Sequence, residues 1–388
     1  MNIRKNMSNY YRNSIVKINV DNVLYNLNKI KETCSKDKML FAVIKGNAYG
    51  HGLIEMAKIV KESNVDALAV ATTDEALAIR THQKGMKILN LGITRDSDYS
   101  VAAKNYITVT VANLDNVKTL ESLDLVQSLK VHLKINTGMN RIGFYDIDST
   151  LEAIKRLSKN KMIKIEGIYT HFATAEDYDK EDYLWQQYNK FASIVKESKI
   201  KYEYIHCSNS ASLLKFADKF TITTANRVGI AMYNALEDIA IKKYELKDTL
   251  EITSRITQVM KYPVGSKIGY SNNYTTETDY EYIATLPIGY ADGIQRHLTK
   301  SIVLCNGVEG IIVGSICMDQ MMVKFPVKVN INDEIVILGS DTRINVYSRA
   351  KHLNTITHEV LTNLGPRLAR VYYKNNEVIQ ISNDMLKL

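Results

Sequence analysis

The first 240 residues contain eight short apolar runs, each followed by a turn and then by a segment with helical spacing. In 113–127, for example, Leu114, Val117 and Leu120 share one helical face, and Asp21 is predicted to cap an earlier helix. Eight strand–helix units over about 220 residues predict a (β/α)8 barrel rather than a doubly wound sheet, because no G-x-G-x-x-G follows the first run. The predicted strands are MLFAVIK (39–45), DALAVAT (66–72), KILNLG (87–92), YITVTV (106–111), KVHLKIN (130–136), KIEGIYT (164–170), YEYIHC (202–207) and RVGIAMY (227–233).

The rhythm changes near residue 245, where short β-rich runs alternate with turn clusters such as PVGS and GSDTR. This spacing is typical of a mostly antiparallel β-domain. The run SIVKINV (14–20) also predicts a strand. We therefore expect an α/β protein with a barrel over 21–240 and a β-domain over 241–388, which the N-terminal strand joins. The predicted β-domain runs are EITSRITQVM (251–260), EYIATLPIGY (281–290), SIVLC (301–305), EGIIVG (309–314) and DEIVILG (333–339).

Charge and cysteine content argue against several classes of protein. The chain has 388 residues with 50 Lys or Arg and 42 Asp or Glu, so its formal net charge is +8. Nine of the cations but only three of the acids lie in 1–50, which is not the basic groove of a nucleic-acid-binding domain. No apolar run reaches the roughly 18 residues of a membrane helix, and no secretory h-region is predicted. Four scattered cysteines without a C-x-x-C pair suit the cytoplasm and predict no disulfide framework or metal site: Cys34, Cys207, Cys305 and Cys317.

A barrel places ligand-binding residues at the carboxyl ends of its strands, so the strand ends indicate where the chemistry lies. The first barrel strand ends in Lys45 and runs into GNAYGHG. Partial desolvation at that place would lower the pKa of the amine and favour a Schiff base. The alternative is a strand-end lysine that simply extends into solvent.

The fifth strand, KVHLKIN, has a polar face that must point into the barrel, because its apolar face packs under the helices. An inward Lys134 on the polar face is costly unless it is paired or chemically modified. Arg141 in the following loop can bind a phenolate or carboxylate through two hydrogen bonds. The alternative is an internal ion pair that only stabilises the barrel.

The loops after the seventh and eighth strands are the usual phosphate site of such barrels. The seventh strand ends in HCSNS, where Ser210 offers a hydroxyl and backbone N–H groups to an anion, unless it is a simple helix N-cap. Gly229 in the eighth strand lets the backbone approach closely. A Schiff-base lysine together with a phosphate cradle indicates pyridoxal phosphate.

Eight segments closely resemble the motifs of the alanine racemase family, in family order and with compatible spacing over most of residues 15–370. The resemblance implies a fold-type III pyridoxal-phosphate enzyme, an isomerase that interconverts L- and D-alanine. It further implies a cytoplasmic homodimer that supplies D-alanine for bacterial peptidoglycan. The segments are AVIKGNAYGHG, HLKINTGMNRIGF, EGIYTHFATAED, HCSNSAS, RVGIAMY, IGYSNNY, LPIGYADG and ICMDQMMV.

The resemblance also implies roles for single residues. Lys45 is similar to the lysine that carries the cofactor and then serves as the base on one face of the substrate Cα. Tyr270 of the partner subunit is similar to the base on the opposite face, as racemisation requires. Arg227 matches the arginine that binds the pyridine nitrogen, and His171 matches the histidine that orients it and Tyr270. Lys134 matches a lysine that is carbamylated in many members, which would give Arg141 an anionic neighbour.

Further matches concern the cofactor and the substrate. Arg141 is similar to the residue that binds the cofactor phenolate and contacts the substrate. Tyr290 resembles a tyrosine at the active-site entrance. Met318 of the partner subunit resembles a residue whose backbone N–H meets the substrate carboxylate. The remaining cofactor contacts implied by the family are Tyr49, Asn209, Ser210, Gly229 and Ile230.

Two positions depart from the family pattern. Pro366 stands where members usually have a tyrosine near the phosphate, and Ser315 stands where many have an entrance arginine. Both changes remove bulk or charge near the substrate, so a broad-specificity or serine-preferring racemase is the alternative to an alanine racemase. A decarboxylase of similar architecture typically has a glycine-rich phosphate loop, and a single-barrel cofactor carrier would lack the β-domain.

Overall fold

The computed structural model describes residues 10–33, 37–236 and 243–386. Its first elements are β1 (Ile15–Asn19) and α1 (Val20–Thr33). The prediction that Asp21 caps this helix is wrong, because the helix already begins at Val20 and Asp21 lies in its first turn. Asn19 precedes the first turn instead, and its side-chain oxygen accepts the N–H of Asn22 at 2.9 Å.

Within the described residues, eight parallel strands form the barrel: β2 (Met39–Val43), β3 (Ala67–Val70), β4 (Lys87–Ile93), β5 (Ile107–Val111), β6 (Leu129–Lys134), β7 (Ile163–Tyr169), β8 (Tyr204–His206) and β9 (Ala225–Val228). They pair in the order β8-β7-β6-β5-β4-β3-β2-β9. The two ends of this sheet meet where the N–H of Thr224 donates to the carbonyl of Ile205 at 2.9 Å, which closes the barrel. The predicted (β/α)8 class is confirmed.

Helical segments follow the strands along the chain: α2 (Lys45–Tyr49), α3 (Leu53–Glu62), α4 (Thr73–His82), α5 (Tyr99–Lys104), α6 (Leu114–Ser122), α7 (Ile147–Leu157), α8 (Glu181–Glu197) and α9 (Ser210–Phe216). Short polar side chains begin several of them; Asn113, for example, accepts the N–H of Asn116 at the start of α6. The segment predicted over 113–127 is helical only to Ser122. No helix in the described part of the chain is long and apolar enough to cross a membrane.

The eighth predicted strand is misplaced. RVGIAMY (227–233) was expected to be β throughout, but β9 ends at Val228 and residues 230–233 form a 3₁₀ turn. Gly229 adopts φ −129° and ψ −97°, which interrupts the ladder with β2. The turn residues are nevertheless fully buried, and an apolar run alone does not distinguish a buried strand from a buried turn.

The second large sheet contains β1 and most of the C-terminal strands: β10 (Leu250–Arg255), β11 (Gln258–Pro263), β14 (Tyr280–Leu286), β15 (Ile302–Cys305), β16 (Val308–Val313), β17 (Met321–Phe325), β18 (Glu334–Leu338), β19 (Ala369–Lys374) and β20 (Glu377–Ser382). A small hairpin adds β12 (Lys267–Ile268) and β13 (Tyr274–Thr275), and two helices follow, α10 (Val346–Leu353) and α11 (Thr357–Thr362). In the large sheet all neighbouring strands are antiparallel except β1 and β19, which are parallel. This confirms the mostly β character. The predicted boundary at 240/241 lies outside the described residues.

The barrel has the predicted division between an apolar outer face and a polar interior. On β6, Val131 and Leu133 are fully buried in the core under the helices. His132 and Lys134 point to the other side, where they are 1% and 5% exposed among the rings of the barrel interior. Nζ of Lys134 lies 4.7 Å from the ring centroid of Tyr169, so its amine packs on an aromatic face.

The β-domain contacts the barrel at the turn after β2. The guanidinium of Arg370, which is 1% exposed, donates to the carbonyl of Gly50, and Tyr372 donates to the carbonyl of His51 at 2.7 Å. A side chain at position 50 would place its Cβ 2.2 Å from the carbonyl oxygen of Leu361. The chain therefore needs glycine there, and the turn is clamped between both parts of the molecule.

Candidate active site

Lys45 begins a left-handed turn at the carboxyl end of β2. Residues 46–49 all have φ between +52° and +62°. Left-handed backbone costs about 1–2 kcal/mol for each residue that carries a side chain, so the surroundings must hold the turn. Glu75 does so by accepting the N–H of Gly46 at 2.7 Å, and Asn47 accepts the N–H of Leu53 at 2.7 Å.

A cavity of about 140 Å³ opens beside Lys45 at the carboxyl ends of the barrel strands. It brings together most of the residues predicted to bind the cofactor: Lys45, Tyr49, His171, Asn209, Ser210, Arg227, Gly229 and Ile230. Four further lining residues did not emerge from the sequence: Val43, Leu91, Glu176 and His358. Six segments that are far apart in the chain supply these groups. Barrel closure makes five of them neighbours, and helix α11 of the β-domain adds His358.

Other predicted site residues do not line this cavity in the same chain. Arg141 is exposed on the loop after β6, close enough for its charge to lower the pKa of Lys45 and of Lys134. Tyr270, Tyr290 and Met318 lie in the β-domain with 70%, 43% and 52% of their surface exposed. Large side chains with that exposure are available to a second molecule.

Hydrogen-bonding groups suited to an anion converge on one wall of the cavity. Asn209, not Ser210, is the N-cap of α9, and its side chain accepts the N–H of Ser212. The Ser210 hydroxyl instead accepts the N–H groups of Gly229 at 3.0 Å and of Ala231 at 3.3 Å. A Cβ at position 229 would lie 2.5 Å from the phenol oxygen of Tyr49. Only glycine leaves room for that phenol at the cradle.

Arg227 also lines the cavity, is buried to 3% exposure and holds several neighbouring groups. It donates to Nδ1 of His206 at 2.7 Å, to Nδ1 of His171 at 3.2 Å and to the carbonyl of Thr170 at 3.0 Å. Burial lowers its pKa to about 10, so the guanidinium stays charged at neutral pH. His206 was not singled out from the sequence, although it stands in the HCSNS motif.

The basic groups of the site have pKa values below their ordinary ones. Burial, and then the charge of Arg141, lowers the pKa of Lys45. Burial together with Arg227 lowers the pKa of Lys134 well below its usual range. Burial and Arg227 likewise lower the pKa of His171, so its imidazole is neutral and Nδ1 can accept from Arg227. Arg227 stays charged, and its positive potential favours an anionic ligand at the site.

The two departures from the family pattern have different surroundings. Ser315 is 6% exposed, and its hydroxyl accepts from Nδ2 of Asn273 at 2.7 Å and lies 3.5 Å from the carbonyl oxygen of Tyr270. Ser315 therefore braces the turn that carries Tyr270. Pro366 is exposed and does not line the cavity beside Lys45.

Buried histidines predict how stability depends on pH. Burial lowers the pKa of His51, next to the left-handed turn, to about 4, whereas an unfolded histidine titrates near 6.5. The unfolded chain therefore binds the extra proton first, and stability falls as pH drops below 6.5. At pH 5.5 the loss from this one group is about 1.4 kcal/mol. Urea unfolding of the cofactor-free protein should show a lower midpoint at pH 5.5 than at 7.5, and His51→Gln should reduce the difference.

The exposed His82 gives the control His82→Gln, which should keep the wild-type difference between the two midpoints. Equal midpoints of the wild-type protein at both pH values would contradict the prediction.

Comparisons with known proteins agree with one another. The chain matches the family models described as alanine racemase N-terminal domain over 18–237 and alanine racemase C-terminal domain over 249–372. An alanine racemase of Anoxybacillus flavithermus is 37% identical over 387 residues, covering 97% of this chain and 99% of that protein. The crystal structure of alanine racemase from Bacillus anthracis with bound L-Ala-P has a TM-score of 0.93 at 34% identity, covering 98% of this chain and 100% of that one. A histidine racemase from Leuconostoc mesenteroides has a TM-score of 0.87 at 27% identity, covering 95% and 100%.

Proposed function

Because this chain belongs to the alanine racemase family, we propose that it interconverts L- and D-alanine by a two-base mechanism that depends on pyridoxal phosphate. The observation that carries the proposal is the cavity beside Lys45. There a lysine with a lowered pKa, a buried arginine and an anion cradle face one another.

The residues of the cavity fit pyridoxal phosphate. The Ser210 hydroxyl, which the N–H of Gly229 holds in place, would hold the phosphate together with the Tyr49 phenol and the backbone N–H of Ile230, with Asn209 fixing the start of α9. Burial raises the pKa of Tyr49, so its phenol remains a hydrogen-bond donor. When bound, the cofactor supplies the electron sink that makes the substrate α-proton acidic.

Lys45 would carry the cofactor and then act as the base on one face of the substrate. Both roles need a neutral amine, and the lowered pKa supplies more of it near pH 7 than an ordinary lysine has. The left-handed turn, fixed by Glu75, holds the backbone on which this side chain stands.

Tyr270 would be the second base, supplied by the partner subunit of a homodimer. Its exposure on the β-domain leaves the phenol free to enter another molecule's cavity, and Met318 and Tyr290 would accompany it. His171 has a neutral ring whose Nδ1 is occupied by Arg227, so its Nε2–H is the donor that remains for the phenol.

Arg227 would bind the pyridine nitrogen of the cofactor, and Arg141 would bind its phenolate oxygen. A guanidinium that stays charged at Arg227 opposes protonation of the pyridine nitrogen, which limits the strength of the sink and favours proton return over side reactions. Carbamylation of Lys134 would replace a costly buried cation by an anion near Arg141. We place the reaction in the cytoplasm, where its product would serve peptidoglycan synthesis.

Substrate turnover tests the proposal. The purified protein loaded with pyridoxal phosphate is expected to racemise L-alanine with a larger kcat/KM than L-serine, L-lysine or L-arginine. L-Serine is the second candidate substrate because of Ser315. This uncharged side chain, held by Asn273, replaces the entrance arginine of many family members. A larger kcat/KM for serine would select that candidate, and release of CO₂ would contradict racemisation altogether.

A further inference from the structure

A line of polar side chains crosses the barrel interior beneath the cavity and ends at Arg227. Nζ of Lys130 donates to Oε1 of Glu166 at 2.6 Å, and Oε2 of Glu166 lies 3.8 Å from Nε2 of His132. Nδ1 of His132 is 3.0 Å from Nε2 of His206, whose Nδ1 accepts from Arg227 at 2.7 Å. The four inner residues are at most 3% exposed, whereas Lys130 reaches the surface.

Arg227 at one end of this line and Glu166 at the other favour the same direction for its hydrogen bonds. A guanidinium can only donate, so Nδ1 of His206 must be an acceptor and its proton must lie on Nε2. That Nε2–H then donates to Nδ1 of His132, which leaves the second proton of the line on Nε2 of His132. This last N–H faces the carboxylate of Glu166, the one group in the line that can only accept when ionised.

The protonation states agree with this direction. Burial lowers the pKa of His132 and lowers that of His206 well below its usual range, so both rings are neutral. Burial raises the pKa of Glu166, but the contacts with His132 and Lys130 outweigh it and lower the pKa to about 2. Glu166 is therefore an anion at the far end of two neutral rings.

Packing prevents the rings from turning to another arrangement. A Cβ at Gly167 would lie 2.7 Å from Cε1 of His132, so the strand backbone of β7 presses directly on that ring. Tyr169 stacks on His206 with a centroid distance of 4.8 Å and an interplanar angle of 3°. The alternative tautomers would set an N–H of His206 against Arg227, with no space for the ring to flip away.

We propose that Glu166 is a positioning residue of the active site, which together with Arg227 stabilises the Nε2–H tautomers of His132 and His206, so that His206 holds Arg227 as a hydrogen-bond acceptor. The inference rests on the proposed function, because Arg227 acts on the reaction only if it binds the cofactor. Glu166 itself touches neither the cavity nor any group proposed to react.

Nitrogen-15 NMR of the histidine-labelled, cofactor-free protein tests the tautomers without any activity measurement. In the wild-type protein, both His132 and His206 are expected to carry their proton on Nε2. Glu166→Leu removes the anion that the His132 Nε2–H faces, so the share of the Nδ1–H form should rise in both rings, although Arg227 still opposes it. Glu166→Gln keeps an acceptor oxygen and should keep the tautomers. Because the charge of that acceptor is lost, the Nε2 resonance of His132 should have a different chemical shift from that of the wild-type protein. A wild-type pattern in the leucine variant overturns the proposal, and if that variant does not fold, an unmoved resonance in the glutamine variant overturns it.

The loaded enzyme supplies the second readout. Glu166→Leu should lower kcat for alanine about 10-fold to 100-fold, as loss of an outer partner of a functional histidine does elsewhere, with little change in KM, and Glu166→Gln should recover part of it. Glu152→Gln, which removes an exposed ion pair with Arg156 on α7, is the matched control and should behave as wild type. Unchanged kcat in the leucine variant contradicts the inference, whereas a wild-type protein that does not racemise alanine contradicts the proposed function.

Discussion

Replacing Lys45 by alanine is expected to abolish racemisation and the visible absorbance of protein-bound pyridoxal phosphate at the same time. The amine is proposed both to carry the cofactor and to move the α-proton, and its lowered pKa suits it to both. We expect kcat to fall by at least about 10³-fold, since a positioned base alone contributes about 10²–10⁴-fold. Absorbance after reconstitution and polarimetry with L-alanine measure the two effects.

A surface lysine supplies the control for this experiment. Lys58 pairs with Glu55 on α3, and Lys58→Ala should leave both the absorbance and the turnover unchanged. A Lys45→Ala protein that retains the absorbance would show that another group carries the cofactor. If it retained racemisation, the assignment of the base would be wrong.

Replacing Tyr270 by phenylalanine is expected to separate cofactor binding from proton transfer. The variant should keep the absorbance, because Lys45 and the residues proposed to hold the cofactor are unchanged. Racemisation should fall about 10²–10⁴-fold, and exchange of the α-proton with D₂O should be lost preferentially from one enantiomer. Proton NMR of L- and D-alanine in D₂O measures the two exchange rates separately. Tyr280→Phe changes an exposed tyrosine of the same domain and should exchange both enantiomers at the wild-type rate.

Mixing the two variants tests whether Tyr270 acts in the partner subunit. In a mixed dimer one site has lost both bases and the other has both, so co-expression of Lys45→Ala with Tyr270→Phe should restore up to about a quarter of wild-type activity. Recovery contradicts a site built within one chain. If neither exchange nor turnover returns in isolated mixed dimers, the proposed sharing is wrong.

Strand ends were the most predictable part of the site. Lys45 and Lys134 follow from the period of apolar residues alone, because the topology of a parallel barrel decides where strand ends meet. Glu75 shows what the sequence does not disclose. Thr72-x-x-Glu75 is the pattern of a local capping box, and Thr72 does cap α4. One oxygen of Glu75 accepts the nearby N–H of Ala71, but the other accepts the N–H of Gly46 on the neighbouring strand end. This second contact depends on how β2 and β3 pair.

Tertiary packing also explains why His358 and the end of the eighth strand were not predicted. His358 is 313 positions from Lys45, and only the docking of α11 on the turn after β2 brings it to the cavity. Its sequence neighbours contain no signal for a barrel site. The eighth strand was misplaced because buried turns and buried strands have the same hydrophobicity, and Gly229 alone distinguishes them.

The position of β1 has a consequence for how the protein is made. This strand pairs on one side with β10 and on the other with β19, so the earliest strand to leave the ribosome has no partner until residue 250 is synthesised. At about 5–20 residues per second, the roughly 230 intervening residues take on the order of 10–50 s. The whole barrel can fold in that interval while two unpaired edges of β1 remain open to other chains. Aggregation through the edges of β1 therefore begins most readily on nascent chains, and it stops being possible once β10 and β19 have paired with β1.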